Sequence, residues 1–176
     1  KHDLKASRVE AASIEVQQAL APTGILRVGV YAGSPTSLVK ETPTGESVGI
    51  ALDLGKELAK RLNVPVQVIE FQRVAQVLDA LKNKQVDFTF TNSTALRAKD
   101  VDFTQAMLRL ELGYLVVASS PIRALTEIDQ SSTRVGVSQG SSSQGVLTQT
   151  LQKAKVVTAE SLNQAQTMLT SQQIDA

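Results

Sequence analysis

Val86–Thr104 reads VDFTFTNSTALRAKDVDFT, and the change of character halfway along it governs the reading of the whole chain. Val86, Phe88 and Phe90 alternate with Asp87, Thr89 and Thr91, the period of a half-buried strand. The alternation then gives way to the polar run Thr91-Asn92-Ser93-Thr94, with Arg97 close behind it. In an open α/β sheet, ligands sit beyond the carboxyl ends of strands. A strand that ends in small polar residues and then an arginine suits an anion-binding crevice, because the guanidinium is a planar fork able to grip a carboxylate through two parallel hydrogen bonds. Asp100 and Asp102 follow Arg97 closely, so the local pattern fits a solvated surface ion pair equally well.

The rest of the composition narrows the field. The chain has 176 residues, 42% hydrophobic and 20% charged, with a net charge of +1. These are globular values, enough for one domain or two small lobes. Scattered Lys and Arg at near-zero net charge leave no nucleic-acid footprint. No run approaches the roughly 18 apolar residues that a membrane-spanning helix needs. Cysteine is absent, which removes disulfides, thiolate metal sites and thiol catalysis. The one histidine, His2, lies at the terminus, where a solvated role is expected. The chain starts at Lys1 rather than Met, as expected of a chain that is processed or cut from a longer one; removal of a secretory signal would explain it, though no such signal is visible.

Periodicity predicts a helix over Asp3–Leu20 with Asp3 as N-cap, stopped by Ala21-Pro22-Thr23-Gly24. A buried strand follows at Ile25–Tyr31, then a polar loop over Ala32–Gly45 that places Tyr31 and Ser34–Ser37 near any crevice. Helices are expected at Val48–Asn63 and Arg73–Asn83, and strands at Val64–Phe71 and Val86–Phe90. Strand, helix, strand, helix, strand implies a parallel sheet. Leu112–Ala118 is apolar enough for another strand, and Ser119-Ser120-Pro121 marks a turn between lobes. Beyond it come a short helical turn at Leu125–Asp129, a strand at Arg134–Val137, a helix at Gln144–Lys153, a short strand at Val156-Val157, a helix at Ser161–Thr170 and the start of a strand at Ile174-Asp175-Ala176. RVGV occurs twice, at Arg27–Val30 and Arg134–Val137. Each copy leads to a polar loop, a helix, a strand, a helix and a V/I-D pair, as two lobes of one design would. The expected division is 1–21 as an N-terminal helical extension, 22–118 as the first lobe and 119–176 as the second.

Several of these segments together resemble the periplasmic solute-binding proteins of ABC importers, in the family that handles polar amino acids. They are Ala21–Val30 (APTGILRVGV), Gly49–Leu54 (GIALDL), Leu58–Leu62 (LAKRL), Leu78–Asp87 (LDALKNKQVD), Thr94–Arg97 with Val101–Thr104, Arg134–Gly140 (RVGVSQG) and Ile174–Ala176. The resemblance covers about residues 21–176. It implies a two-lobe α/β fold of the periplasmic-binding-protein type, with the second lobe incomplete in this chain. It also implies a small anionic or zwitterionic ligand such as a polar amino acid, a membrane permease as partner, an extracytoplasmic or periplasmic location, a monomer and no cofactor.

The family's T-x-x-R arginine, which holds the ligand carboxylate, corresponds to Thr94-Ala95-Leu96-Arg97. Asn92 stands where family members usually have a small or hydroxyl residue, and Phe90 where a small one is common. Val74 replaces an aromatic that often covers the ligand. Gly140, Ser141 and Ser142 fit the second-lobe pattern of hydroxyls at a helix start, where free N–H groups favour an anion. A flexible loop with an ordinary N-cap explains the same serines. The implied ligand-binding set is Arg97, Asn92, Thr94, Ser141, Ser142 and Tyr31. The family's acidic contact to the ligand amino group lies beyond the last residue here, and Asp175 is expected to be structural.

Catalytic patterns are missing. Without Cys or a placed His, Ser-His and Cys-His systems cannot be built. GSSSQG has Gln144 where a nucleophile elbow needs glycine, and neither phosphate-loop signature is present. Asp100 and Asp102, beside Lys99 and Arg97, read as a solvated turn. A non-enzymatic receptor is the expectation. The alternatives are a ligand-sensing input module of a membrane receptor or cell-wall enzyme and, less favoured, a dehydratase on the same fold.

Overall fold

The computed structural model describes residues 11–40 and 42–176. Residues 3–10 of the predicted first helix, Asp3 and Val9 among them, lie outside them. The described helix, α1, is Ile14–Leu20. It begins where Ser13 Oγ accepts the Val16 N–H at 3.3 Å, a standard N-cap bond. None of its residues is buried, and Val16 and Leu20 are each 43% exposed, so within α1 itself the apolar residues stay out of the core; Ala12 just before it packs against the first core and Ala21 just after it is buried there. What ties α1 down is polar: the Gln17 side-chain amide donates to the Leu62 carbonyl at 2.6 Å.

Two separate parallel sheets follow. In the first, β1 (Leu26–Tyr31) pairs with β2 (Val66–Phe71), from Leu26 opposite Val66 to Tyr31 opposite Phe71. The connecting helix α2 (Ile50–Leu62) ends at Asn63, whose left-handed backbone caps it. After β2 comes α3 (Val74–Lys82). Neighbouring strand residues point to opposite faces. Val28 packs on Gly55 of α2, and Gly29 lies under Val77 of α3. The two helices thus cover the two sides of β1, whose Leu26, Val28 and Val30 are fully buried.

The second sheet pairs β3 (Arg134–Ser138) with β4 (Lys155–Ala159), flanked by α4 (Ser142–Thr150) and α5 (Leu162–Thr170). Single 3-10 turns stand at Arg97–Lys99 and Leu125–Glu127. α4 starts two residues earlier than predicted, because Ser141 is its cap. It also ends earlier. Asp129 accepts the N–H groups of Gln152, Lys153 and Ala154 at 2.7–3.1 Å, holding that turn out of the helix.

Three predicted strands differ, the third being Ile174–Ala176, which hydrogen-bonds along β3 (Asp175 N–H to Arg134 O, Gly136 N–H to Ala176 O) without forming a strand. Val86–Phe90 forms one parallel bridge, Phe88 with Val28, on the free edge of β1. Gly29 N–H donates to Phe88 O at 2.9 Å. The next step is taken by a side chain, Thr89 Oγ1 donating to Gly29 O at 2.8 Å, so the ladder goes no further. Leu112–Ala118 is not a strand. Leu112 and Leu115 are 79% and 71% exposed, and no described element pairs with the segment. Without a ladder partner an extended apolar run cannot satisfy its backbone. Tyr114 and Val116 do pack on the second core, around Ile128 and Val135.

The RVGV echo is structural. Arg27 donates through its backbone N–H and Nε to Asp87 Oδ2 (2.9 and 3.0 Å), and through Nη2 to Asp87 Oδ1 (2.8 Å) and Lys84 O (2.9 Å). Arg134 repeats this with Asp175 (2.8, 3.0 and 3.1 Å) and Gln172 O (2.8 Å). Lys84 and Gln172 both adopt left-handed backbones, φ 57° and 60°. Gly29 sits beneath Val86 as Gly136 sits beneath Ile174. Gly136 N–H reaches Ala176 O at 2.8 Å, as Gly29 reaches Phe88 O. Asp175 is structural, as expected.

Candidate functional site

The carboxyl ends of β1, β2 and the Phe88 bridge open toward the carboxyl ends of β3 and β4. Four contacts define the seam. Gly140, at φ +74°, is so close to Ala75 that an added Cβ would lie 2.6 Å from Ala75 Cβ. Gly33 faces Leu162. Arg73 Nη1 reaches Glu160 O at 3.4 Å. Asn92 Nδ2 donates to Ser142 Oγ at 3.0 Å.

Arg97 opens the first 3-10 turn. Thr94 Oγ1 accepts its N–H at 3.1 Å, so in T-x-x-R the threonine caps the turn that carries the arginine. Among the described residues every hydrogen bond of the guanidinium leaves from Nη1, to Thr91 Oγ1 (3.0 Å), Asn92 O (3.1 Å) and Asn92 Oδ1 (2.5 Å). No described carboxylate is in ion-pair range of Arg97, while Asp100 pairs with Lys82 at 3.1 Å. The surface pair of Arg97 with Asp100 or Asp102 therefore does not form. Burial pushes the Arg97 pKa down, partly offset by the nearby Tyr31. An arginine nevertheless stays charged at any physiological pH, so this is a half-buried, uncompensated cation.

The expected residues fall into two groups. Arg97, Asn92 and Ser142 form one hydrogen-bonded chain across the seam, with Tyr31, at the end of β1, beside Arg97. Thr94 and Ser141 act as caps. Ser141 Oγ accepts the Gln144 N–H at 3.2 Å, and Gln144 Oε1 accepts the Gly140 N–H at 2.7 Å. The ordinary N-cap reading thus describes Ser141. Gly140 N–H is already satisfied, which corrects its expected place among the free amides. At the start of α4 the N–H groups of Ser142 and Ser143 remain. Three seam residues lie outside the expected set: Thr91, Arg73, and Ser138, whose buried hydroxyl has no hydrogen-bond partner among the described residues. Thr91 was legible in the polar run. Arg73 and Ser138 carry no pattern of their own beyond standing just after or at strand ends.

Two parallel-sheet units that meet along the carboxyl ends of their strands have the architecture of a two-lobe binding protein. The chain belongs to the bacterial extracellular solute-binding proteins, family 3, whose sequence profile matches residues 26–176. It is similar to the histidine-binding periplasmic protein of Escherichia coli K12, with 32% identity over 98 residues, 54% of this chain. That match spans 37% of the relative's length. An ancestral arginine-binding protein bound to arginine superimposes with a TM-score of 0.69 at 26% identity, over 86% of this chain and 68% of that one. The ancestral amino acid-binding protein AncCDT-1, described as a precursor of cyclohexadienyl dehydratase, gives 0.70 at 25% identity over 91% and 71%. The fold is the mixed α/β fold of these amino-acid-binding proteins.

Proposed function

We propose that the protein is an extracytoplasmic, non-enzymatic receptor that closes two lobes, 22–118 and 119–176, on a small amino acid and presents it, as a monomer, to the permease of an ABC importer. The observation that carries this is Arg97: a half-buried guanidinium at the seam, with no described carboxylate partner and with Nη2 and Nε unused by the described residues. The ligand's carboxylate is the counter-charge. Tyr31, Asn92 and Thr94 line the first-lobe side, and Ser141 and Ser142 the second-lobe side. Closure on the ligand is the signal a permease reads, because ligand affinity differs between the open and closed forms.

The test is calorimetry on the complete protein with the common amino acids and small dicarboxylates, histidine and arginine first because relatives carry those names. Arg97→Ala removes a charge-assisted bond of about 1.5–3 kcal/mol, so affinity for whichever compound binds falls roughly 10- to 150-fold. Undiminished affinity in the variant overturns the assignment of Arg97.

A further inference from the structure

Asn92 does more than line the seam. Its carboxamide oxygen accepts from Arg97 Nη1, and its amide nitrogen donates to Ser142 Oγ at the start of α4, fifty positions along the chain. This orientation follows from chemistry, since turning the amide over would set its NH2 against the guanidinium N–H groups. Among the described residues it is the one side-chain to side-chain hydrogen bond between the two sheet units. The other seam contacts are glycine packing and a long bond from Arg73 to a backbone carbonyl.

A carboxamide has the planar fork of a carboxylate, with one oxygen exchanged for a donor. Here the remaining oxygen takes the guanidinium and the donor takes a neutral hydroxyl on the opposite side. We propose that Asn92 is an intramolecular latch: its bond to Ser142 draws the two lobes together without ligand and must break before the lobes can open to admit one. This rests on the receptor reading above and adds a regulated step to it. A self-latched closed state takes protein away from the binding-competent population, so it weakens apparent affinity by the fraction latched.

The latch is tested with no ligand present. The chain has no cysteine, so Lys60→Cys on α2 and Gln166→Cys on α5, both exposed, give two spin-label sites in the complete protein. It is unfolded, dialysed and refolded first to strip carried-over ligand. The distance distribution is then compared for this parent, Asn92→Ala, Ser142→Ala and the double variant. The expected result is a shift of about 2- to 10-fold in the closed-to-open ratio for each single variant, the worth of one net hydrogen bond. The double variant shifts no further than either single one, because both remove one interaction. An unchanged distribution in Asn92→Ala, or a double variant equal to the product of the singles, overturns the latch. Indifference of calorimetric affinity to Arg97→Ala would overturn the receptor assignment while leaving these distances as they are, so the two failures are distinguishable.

Discussion

Asp87→Ala and Asp175→Ala remove the same side chain from the same geometry in two environments, so they measure what burial adds to an arginine clamp. The Asp87 side chain is 6% exposed and that of Arg27 19%, whereas Asp175 and Arg134 are 33% and 41% exposed. Asp87 accepts three N–H groups from Arg27. Its loss leaves the guanidinium with the Lys84 carbonyl alone and strands the Arg27 backbone N–H. Breaking a buried pair from one side costs about 3–5 kcal/mol. At Asp175 water re-solvates the exposed arginine, so the ion pair itself contributes about 0–1 kcal/mol. The lost bond to the Arg134 backbone N–H contributes about 1 more. The expected gap is therefore about 1–4 kcal/mol, with Asp87→Ala the larger loss. The assay is urea unfolding at neutral pH, followed by tyrosine fluorescence. There are two tyrosines: Tyr31 ends β1, and Tyr114 packs on the second core. Tyr31→Phe and Tyr114→Phe backgrounds each leave one reporter, so the two units are followed separately should unfolding not be two-state. Equal losses, or a larger one at Asp175, would refute the reasoning that burial sets the worth of the clamp.

Leu62→Ala, at a position 2% exposed in the first core, should cost about 2–5 kcal/mol. Leu58→Ala, on the half-buried shoulder of the same helix, should cost clearly less, and equal thermal melts for the two would show the core misplaced. Acid should weaken the protein. The Arg134 fork and backbone N–H hold the Asp175 carboxyl below the usual range, and the N–H groups of Ala154, Lys153 and Gln152 do the same for Asp129. A depressed folded pKa contributes stability that is present above the unfolded value, about 3.9, and is lost as pH falls through the folded one. Urea midpoints should therefore fall between pH 5 and pH 3, and fall less in Asp129→Asn. A flat parent profile would contradict the assignment.

Elements whose signal is local were legible in the sequence. α2, with its left-handed Asn63 cap, and α3 lie within two residues of expectation because an apolar stripe and a stop residue act within one element. The RVGV echo was legible because each copy carries its own arginine, glycine and aspartate. What failed depended on partners far along the chain. The apolarity of Leu112–Ala118 predicts burial, but only a pairing strand turns burial into a β-ladder. The stripe on α1 predicts a packing face, and the helix instead rests on one amide bond from Gln17. At the site, the polar run and Arg97 were readable. Whether Ser141 was a cap or a donor turned on where the Gln144 side chain points, which spacing does not encode.

The clamps explain why the site stands where it does. Each locks a V/I-D pair to the start of an RVGV strand, so the residue after the aspartate must pair with the glycine of that strand. In the first unit this fixes Phe88 beside Gly29, and the following residues run out past the end of β1 toward the second sheet. Thr91 and Asn92 then have their oxygens within reach of Arg97, and Thr94 sets the turn from which the arginine projects. The charged half of the seam thus depends on a buried ion pair at the opposite end of the same segment. The second unit contributes only neutral groups here, Ser142 and the first amides of α4. On the receptor reading proposed above, the two arginines at the seam, Arg97 and Arg73, both belong to the first unit and have no carboxylate in ion-pair range among the described residues, so an anionic group would sit on the first-lobe side.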